Sequence, residues 1–236
     1  MPQGFVDIHC HILPGLDDGS RDMATSITMA RIAVADGTTA VVATPHWLED
    51  EHEVTPDVIR QAVKDLQVEL DGNAIPLMIY PGCEALICPD LPRRVQQGDV
   101  MTVADHGRYL LVELPFEDLP TYVDDVIFKL QVQGITPILA HVERYTYVQR
   151  DHALAVKWSG RGVLLQANAD NLARGRGREY ETAQDLIDRC IPVIVASDAH
   201  DAERRTPRCA VATGAVPRGN GDLLISEFGA LLQEET

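Results

Sequence analysis

Short apolar runs recur along the chain: FVDIHC (5–10), TAVVAT (39–44), IPLMIY (75–80), YLLVEL (109–114), ITPILAH (135–141), VLLQANA (163–169) and IPVIVAS (191–197). Several are apolar at successive positions rather than alternate ones. Strands of a parallel sheet covered on both faces read this way. Between the runs the apolar spacing becomes helical. Ser20 is placed to cap a helix through RDMATSITMARIAVADG, which Gly37 ends. Thr55 and Pro56 read as N-cap and first residue of a helix through DVIRQAVKDLQVEL. TYVDDVIFKLQVQG starts after Pro120 and stops at Gly134, and TAQDLIDRC precedes the last run. Strand and helix alternate about seven times, which predicts an α/β fold, as a barrel-like ring or an open sheet. No repeat, linker or low-complexity tract divides the chain, so residues 1–236 are expected to form one domain. NLARGRGRE (171–179) stands apart. It reads as a solvated loop, or as a contact for an anionic substrate through Arg174, Arg176 and Arg178.

Composition narrows the class. With 236 residues, 45% apolar and 24% charged, the chain is an ordinary globular protein with no need of disulfides to fold. No apolar run approaches the ~20 residues of a membrane span, and no signal peptide is visible. The five cysteines are odd in number and form no C-x-x-C pair, so they read as free thiols. Both points favour a cytoplasmic location. The net charge of −16 argues against broad binding to nucleic acid or to an anionic membrane.

The chemistry lies where the runs stop. The first gives His9 and His11, the second His46, the third Glu84, the fourth Glu113, the fifth His141, and the last Asp198 and His200. In β/α barrels the active site is built from these strand ends. Residues i and i+2 of a strand face one way, so His9 and His11 can share a site while Cys10 points elsewhere. Asp198 and His200 repeat the spacing. Asp18, in DDG, is a turn residue or a further ligand. His52, His106 and His152 read as solvated, and Cys10 and Cys83 as small apolar groups. Imidazole with carboxylate suits zinc, iron or manganese. The donors are too many for one ion, and two or three clustered metals fit them better.

With H-x-H, TPH, GCE, VE, AHVER and SDAH in this order, the chain resembles the polymerase and histidinol phosphatase (PHP) superfamily. More narrowly it resembles the bacterial PHP-type protein-tyrosine phosphatases of capsular and exopolysaccharide gene clusters. Asp18 in DDG, Glu113 on the fourth strand and PILAHVERY carry the narrower likeness. The resemblance implies a distorted (β/α)7 barrel of the TIM-like PHP type and three divalent metals, often manganese, with Fe, Zn or Mg as alternatives. It implies His9, His11, Glu84 and Asp198 on the first metal, Glu84, Glu113 and His141 on the second, and Asp18, His46 and His200 on the third. It implies Arg144 and Arg205 as phosphate contacts, with Arg204 a competing neighbour of Arg205. His200 and Asp18 are candidates for proton transfer. A final helix is expected in GDLLISEFGALLQEE. The implied partner is a phosphotyrosine protein, the tail of a membrane-associated tyrosine autokinase.

Other readings compete. Cys88 and Arg94 match C-x5-R, the spacing of cysteine-dependent phosphatases, but two prolines stand between them where a phosphate cradle needs N–H donors. An amidohydrolase, a PHP phosphatase for a small phosphomonoester such as histidinol phosphate, a PHP nuclease and an inactive regulatory module are the remaining alternatives.

Overall fold

The computed structural model describes residues 4–50 and 53–212. The apolar runs become strands β1 (Phe5–Cys10), β2 (Thr38–Ala43), β3 (His46–Trp47), β4 (Met78–Pro81), β5 (Glu84–Leu86), β6 (Tyr109–Glu113), β7 (Thr136–Leu139), β8 (Leu164–Asn168) and β9 (Val193–Ala196). The helices are α1 (Met23–Ala35), α2 (Pro56–Gly72), α3 (Leu91–Gln97), α4 (Val123–Val132), α5 (Thr146–Arg150), α6 (Ala153–Ser159), α7 (Ala169–Arg174) and α8 (Arg178–Asp188). This is an α/β fold in which every strand pairing is parallel.

The second and third runs become β2 and β4, and each is followed, past a break, by a further short strand, β3 or β5. β2 and β4 join β1 in a sheet of order β1-β2-β4, and β3 and β5 enter a sheet of order β3-β5-β6-β7-β8-β9. Pro45, which has no N–H to donate, stands at the first break. Gly82 stands at the second, where a Cβ would lie 2.7 Å from Val42 Cγ1 and 3.3 Å from the Ala43 carbonyl oxygen. The break therefore needs a residue with no side chain. Its consequence is functional, because His46 and Glu84 open the resumed strands and are paired in register.

The sheets also meet at their other ends. The Asp198 N–H donates to the His9 carbonyl at 2.8 Å, and the His11 N–H to the Ala199 carbonyl at 2.8 Å. Ile8, Val42, Leu111, Ile138 and Ala196, from strands of both sheets, share one buried apolar cluster. The larger core lies between strands and helices. It takes Met29 and Ala33 from α1, Leu66 and Leu70 from α2, Val126 and Leu130 from α4, and Leu186 from α8. Burying a side chain as large as Leu66 contributes about 1.5–3 kcal/mol.

Some boundaries differ from expectation. Asp22, not Ser20, caps α1, its side chain accepting the Thr25 N–H at 2.8 Å. Ser20 is held in the preceding loop, where its N–H donates to the His11 carbonyl. Residues 171–179 are not one loop. Residues 171–174 belong to α7, Gly175 ends that helix in the left-handed conformation (φ +64°), and α8 begins at Arg178. The helix expected in GDLLISEFGALLQEE lies outside the described residues. No described helix is long and apolar enough to cross a membrane.

Candidate metal centre

The opening H-x-H sets the site. Cys10 packs into the outer core, fully buried, so its neighbours His9 and His11 aim the other way. The DDG turn then folds back over His11. At Gly19 a Cβ would lie 2.3 Å from the His11 carbonyl oxygen and 2.4 Å from its Cβ, so the turn reaches its position only with glycine there. That approach brings Asp17 Oδ2 to 2.6 Å from His11 Nδ1.

Glu84 is the centre of the arrangement. Its Oε2 lies 3.2 Å from His9 Nε2, 3.3 Å from His11 Nε2 and 3.2 Å from His46 Nδ1. Its Oε1 lies 2.9 Å from His141 Nε2. Yet Oε2 is buried with no hydrogen-bond partner among the described residues. A buried carboxylate oxygen without a hydrogen bond is costly, and here it faces three imidazole nitrogens. His9 Nε2 and His11 Nε2 stand only 3.2 Å apart and converge with His46 Nδ1 on this one oxygen, a crowding of lone pairs that fits bound cations. The donor set, imidazole and carboxylate without thiolate, suits zinc, iron or manganese.

Three groups of donor atoms lie within 4.8 Å of one another: His9, His11 and Glu84; His46, Glu84 and Glu113; and His11, Asp18, His46 and His200. Asp198 Oδ1 adjoins the first, 3.4 Å from His9 Nε2. His141 adjoins the second, 3.5 Å from Glu113 Oε1. Asp18, though its side chain is 69% exposed, places Oδ1 3.4 Å from both His46 Nε2 and His200 Nε2. All nine residues singled out in the sequence are brought together. His46 reaches two groups rather than one. His141 (φ +29°) and Asp198 (φ +51°) sit in the left-handed region, as do Ala74, Ala104, Asp105 and Cys190 away from the site.

Charge follows geometry. Burial opposes protonation of His9, but Glu84 and Asp198 outweigh it and hold the pKa up at about 9. Burial also opposes the charge on His11, and Asp17 and Glu84 raise its pKa to about 10. Asp17, against burial, is lowered to about 2 by His11. Glu113 goes up to about 8, through burial and then the adjacent Glu84 charge. His200 is pushed down to about 4 by burial, with His11 and Arg205 beside it.

Residues that the sequence did not single out hold the candidate ligands in place. Besides Asp17, Gln166 Oε1 lies 3.0 Å from His9 Nδ1 and accepts the His141 N–H at 2.7 Å. Asn168 donates to Asp198 Oδ2 at 2.7 Å. Glu143, wholly buried, accepts from the Asn168 N–H and the Asn171 amide. Burial raises its pKa to about 7. Two polar residues, Gln166 and Asn168, alternating in the apolar run VLLQANA were the available signal.

Two arginines converge on Asp198 Oδ2, Arg144 at 3.4 Å and Arg205 at 2.7 Å. Arg204 lines a different cavity, with Arg21 and Asp22. Beside the arginine pair lies a cavity of about 260 Å³, lined by Asn168, Asn171, Arg174 and Asp198 among others. From the Gly/Arg stretch, Arg174 and Glu179 reach its lining.

The remaining candidates fall away from the site. Arg94 lies in α3 and pairs with Asp90 and Asp99. Burial raises the Cys88 thiol to about 11, so it supplies no thiolate nucleophile. His152 is not simply solvated, since its Nδ1 lies 2.6 Å from Asp185 Oδ2. His106 is half-buried in a loop, and His52 lies outside the described residues. Cys83 is fully buried, as a small apolar group would be, with its thiol 3.1 Å from the Met101 carbonyl.

Known proteins similar to this chain include metal-dependent tyrosine phosphatases. The chain is 33% identical to tyrosine-protein phosphatase YwqE of Bacillus subtilis (strain 168) over 202 residues, 85% of this chain and 79% of that protein. It is 28% identical to the putative tyrosine-protein phosphatase CapC of Staphylococcus aureus over 202 residues, again 85% and 79%. A chain from the crystal structures of YwqE from Bacillus subtilis and CpsB from Streptococcus pneumoniae, described as unique metal-dependent tyrosine phosphatases, superposes with a TM-score of 0.89. The match is 30% identical and covers 98% of this chain and 95% of that one. Residues 5–228 match the family described as capsular polysaccharide synthesis, CpsB/CapC, and the chain belongs to that family.

Proposed function

We propose that this chain is a metal-dependent protein-tyrosine phosphatase, a single domain over residues 1–236 built as a distorted (β/α)7 barrel of the PHP type. The observation that carries the reading is Glu84, a buried carboxylate ringed by four imidazoles with one oxygen unpartnered. Three divalent ions fit the donor set, and manganese is our choice among them. His9, His11, Glu84 and Asp198 would hold the first, Glu84, Glu113 and His141 the second, and Asp18, His46 and His200 the third. Bound metals act as Lewis acids on phosphoryl oxygens and lower the pKa of a bound water toward ~7.

The chain's own residues do the rest. Arg144 and Arg205 present planar, permanently charged forks to a phosphate beside Asp198. Their donors would neutralise charge spread over the equatorial oxygens in the transition state. The overall charge of −16 does not repel the substrate, because bound ions and arginines dominate the local field. A tyrosyl oxygen leaves with a pKa of ~10 and needs less protonation than an alkoxide. His200, with its pKa near 4, is neutral at pH 7 in the metal-free chain and is no acid there.

The relatives named as tyrosine-protein phosphatases support a phosphotyrosine protein as substrate, and with the family's link to capsular polysaccharide synthesis we take it to be the tail of a membrane-associated tyrosine autokinase in the cytoplasm. Phosphate release from a phosphotyrosine peptide, beside histidinol phosphate, tests the substrate class. Turnover of the peptide with little on the metabolite is expected. Turnover of the metabolite alone would move the function to small-molecule metabolism.

A further inference from the structure

His141 differs from His9, His11 and His200 in how its ring is held. A histidine that binds a metal usually donates its second ring N–H to a fixed acceptor, which sets tautomer and orientation. His9 Nδ1 has Gln166, His11 Nδ1 has Asp17, and His200 Nδ1 has the Asp198 carbonyl at 3.1 Å. His141 Nδ1 is buried and has no hydrogen-bond partner among the described residues. What touches this ring is aromatic. Phe116 stacks on it, with centroids 5.4 Å apart and planes at 26°, and Tyr145 meets it edge-on at 5.8 Å.

Phe116 makes a second contact of consequence. The Arg144 guanidinium carbon lies 4.6 Å from its ring centroid, within cation–π range. One half-buried ring therefore contacts both a candidate metal ligand and a candidate phosphate contact. It is itself fixed by its backbone. The Leu114 N–H donates to the Tyr145 hydroxyl at 2.9 Å, the Tyr147 hydroxyl to the Pro115 carbonyl at 3.0 Å, and the Thr146 N–H to the Phe116 carbonyl at 2.9 Å. The Thr146 hydroxyl donates to the Glu117 carbonyl at 3.1 Å. Residues 114–117 are thus stitched to 145–147, the segment that directly follows Arg144. Tyr145 is wholly buried, which anchors the pair of segments in the core.

We propose that Phe116 is a positioning residue, whose ring replaces the missing hydrogen bond in orienting the His141 imidazole and holds the Arg144 guanidinium beside it. The proposal rests on the reading of His141 as a metal ligand and Arg144 as a phosphate contact. It predicts that the ring, not the volume, of residue 116 matters. Leucine and methionine fill much of the space but have no π-face, whereas tyrosine keeps it.

The test compares Phe116→Leu, Phe116→Met and Phe116→Tyr with wild type and with His141→Ala. Manganese affinity is read by competition with a chromophoric chelator, kcat and KM on a phosphotyrosine peptide, and Tm as a check on folding. We expect Phe116→Leu and Phe116→Met to fold, to lose about three- to tenfold in manganese affinity, and to recover only partly at saturating metal. The remaining loss in kcat/KM, about two- to fivefold, is the share carried through Arg144. Phe116→Tyr restores both. Wild-type affinity and kcat/KM in a folded Phe116→Leu or Phe116→Met variant, beside a His141→Ala protein that has lost metal, would overturn the role of Phe116 alone. Full manganese affinity in His141→Ala would overturn the ligand assignment and this proposal with it. A Tyr variant no better than the Leu variant would leave only packing and would also overturn it.

Discussion

Asp17 Oδ2 stands 2.6 Å from His11 Nδ1, and the same carboxylate accepts the backbone N–H groups of Gly19 and His46. One side chain thereby fixes the ring of a candidate ligand, the turn that carries Asp18 and the start of β3. Removing the charge while keeping the shape should loosen the first ligand set without unfolding the chain. For Asp17→Asn we expect manganese affinity to fall about 10–100-fold, as outer partners of ligating histidines typically cost. Chelator competition measures it, and an unchanged affinity would remove Asp17 from the account.

Metal binding should release protons. In the metal-free chain His9 titrates at about 9 and His11 at about 10, against an ordinary value of 6.5. At pH 7.5 both rings hold protons that a metal must displace. Apparent manganese affinity should therefore rise with pH between about 7 and 9. Calorimetry in buffers of different ionisation enthalpy should count the released protons, and a pH-independent affinity with no release would contradict these shifts. The same shifts govern stability. The raised values stabilise the metal-free fold fully below 6.5, and that contribution is lost as pH climbs through 9 to 10.

Gly19 tolerates no side chain. A Cβ placed 2.3 Å from the His11 carbonyl oxygen must displace the turn or the strand end. Gly19→Ala should cost about 1–3 kcal/mol, the range for overpacked sites, and shift Asp17 and Asp18 away from the histidines. A lower Tm together with weaker metal binding is the expected pair of results. A normal Tm with full metal affinity would show that the turn has more freedom than its contacts suggest.

The two neighbouring arginines should separate cleanly. Arg205 touches Asp198 and Arg204 does not. Arg205→Ala should lower kcat/KM on a phosphotyrosine peptide by about 10²-fold, the scale for a lost transition-state donor, and Arg204→Ala by less than about twofold. Steady-state kinetics on the two variants decides it, and equal effects would undo the assignment.

Cys88→Ser should leave activity within about twofold, because a thiol with its pKa near 11 is not a nucleophile at neutral pH. A dead enzyme would revive the cysteine-dependent reading.

Much of this site is legible in the sequence, for definite reasons. His9 with His11 and Asp198 with His200 stand out because strand residues alternate in facing and both pairs fall where an apolar run stops. Glu113 and His141 stand out by the same position. The β-α rhythm gives the fold class, but not β3 and β5, because His46–Trp47 and Glu84–Leu86 lie past the ends of the second and third apolar runs and carry no strand pattern of their own. Asp17 is hidden beside Asp18, since spacing within DDG does not say which carboxylate faces His11. Gln166 is hidden because a neutral amide in a strand carries no mark of chemistry until His9 and His141 are placed around it. Phe116 is hidden for the same reason, being one apolar residue among many.

The central claim is that a metal site around Glu84 hydrolyses phosphotyrosine. Its most direct test is the rate of phosphate release from a phosphotyrosine peptide by chelator-stripped protein as manganese is returned, for wild type and Glu84→Gln. A metal site around Glu84 requires a stripped wild type without activity, recovery as manganese is added, and a folded Glu84→Gln variant at least about 10²-fold slower at the same metal concentration. Full activity in the stripped protein, or a Glu84→Gln variant as fast as wild type, would contradict it.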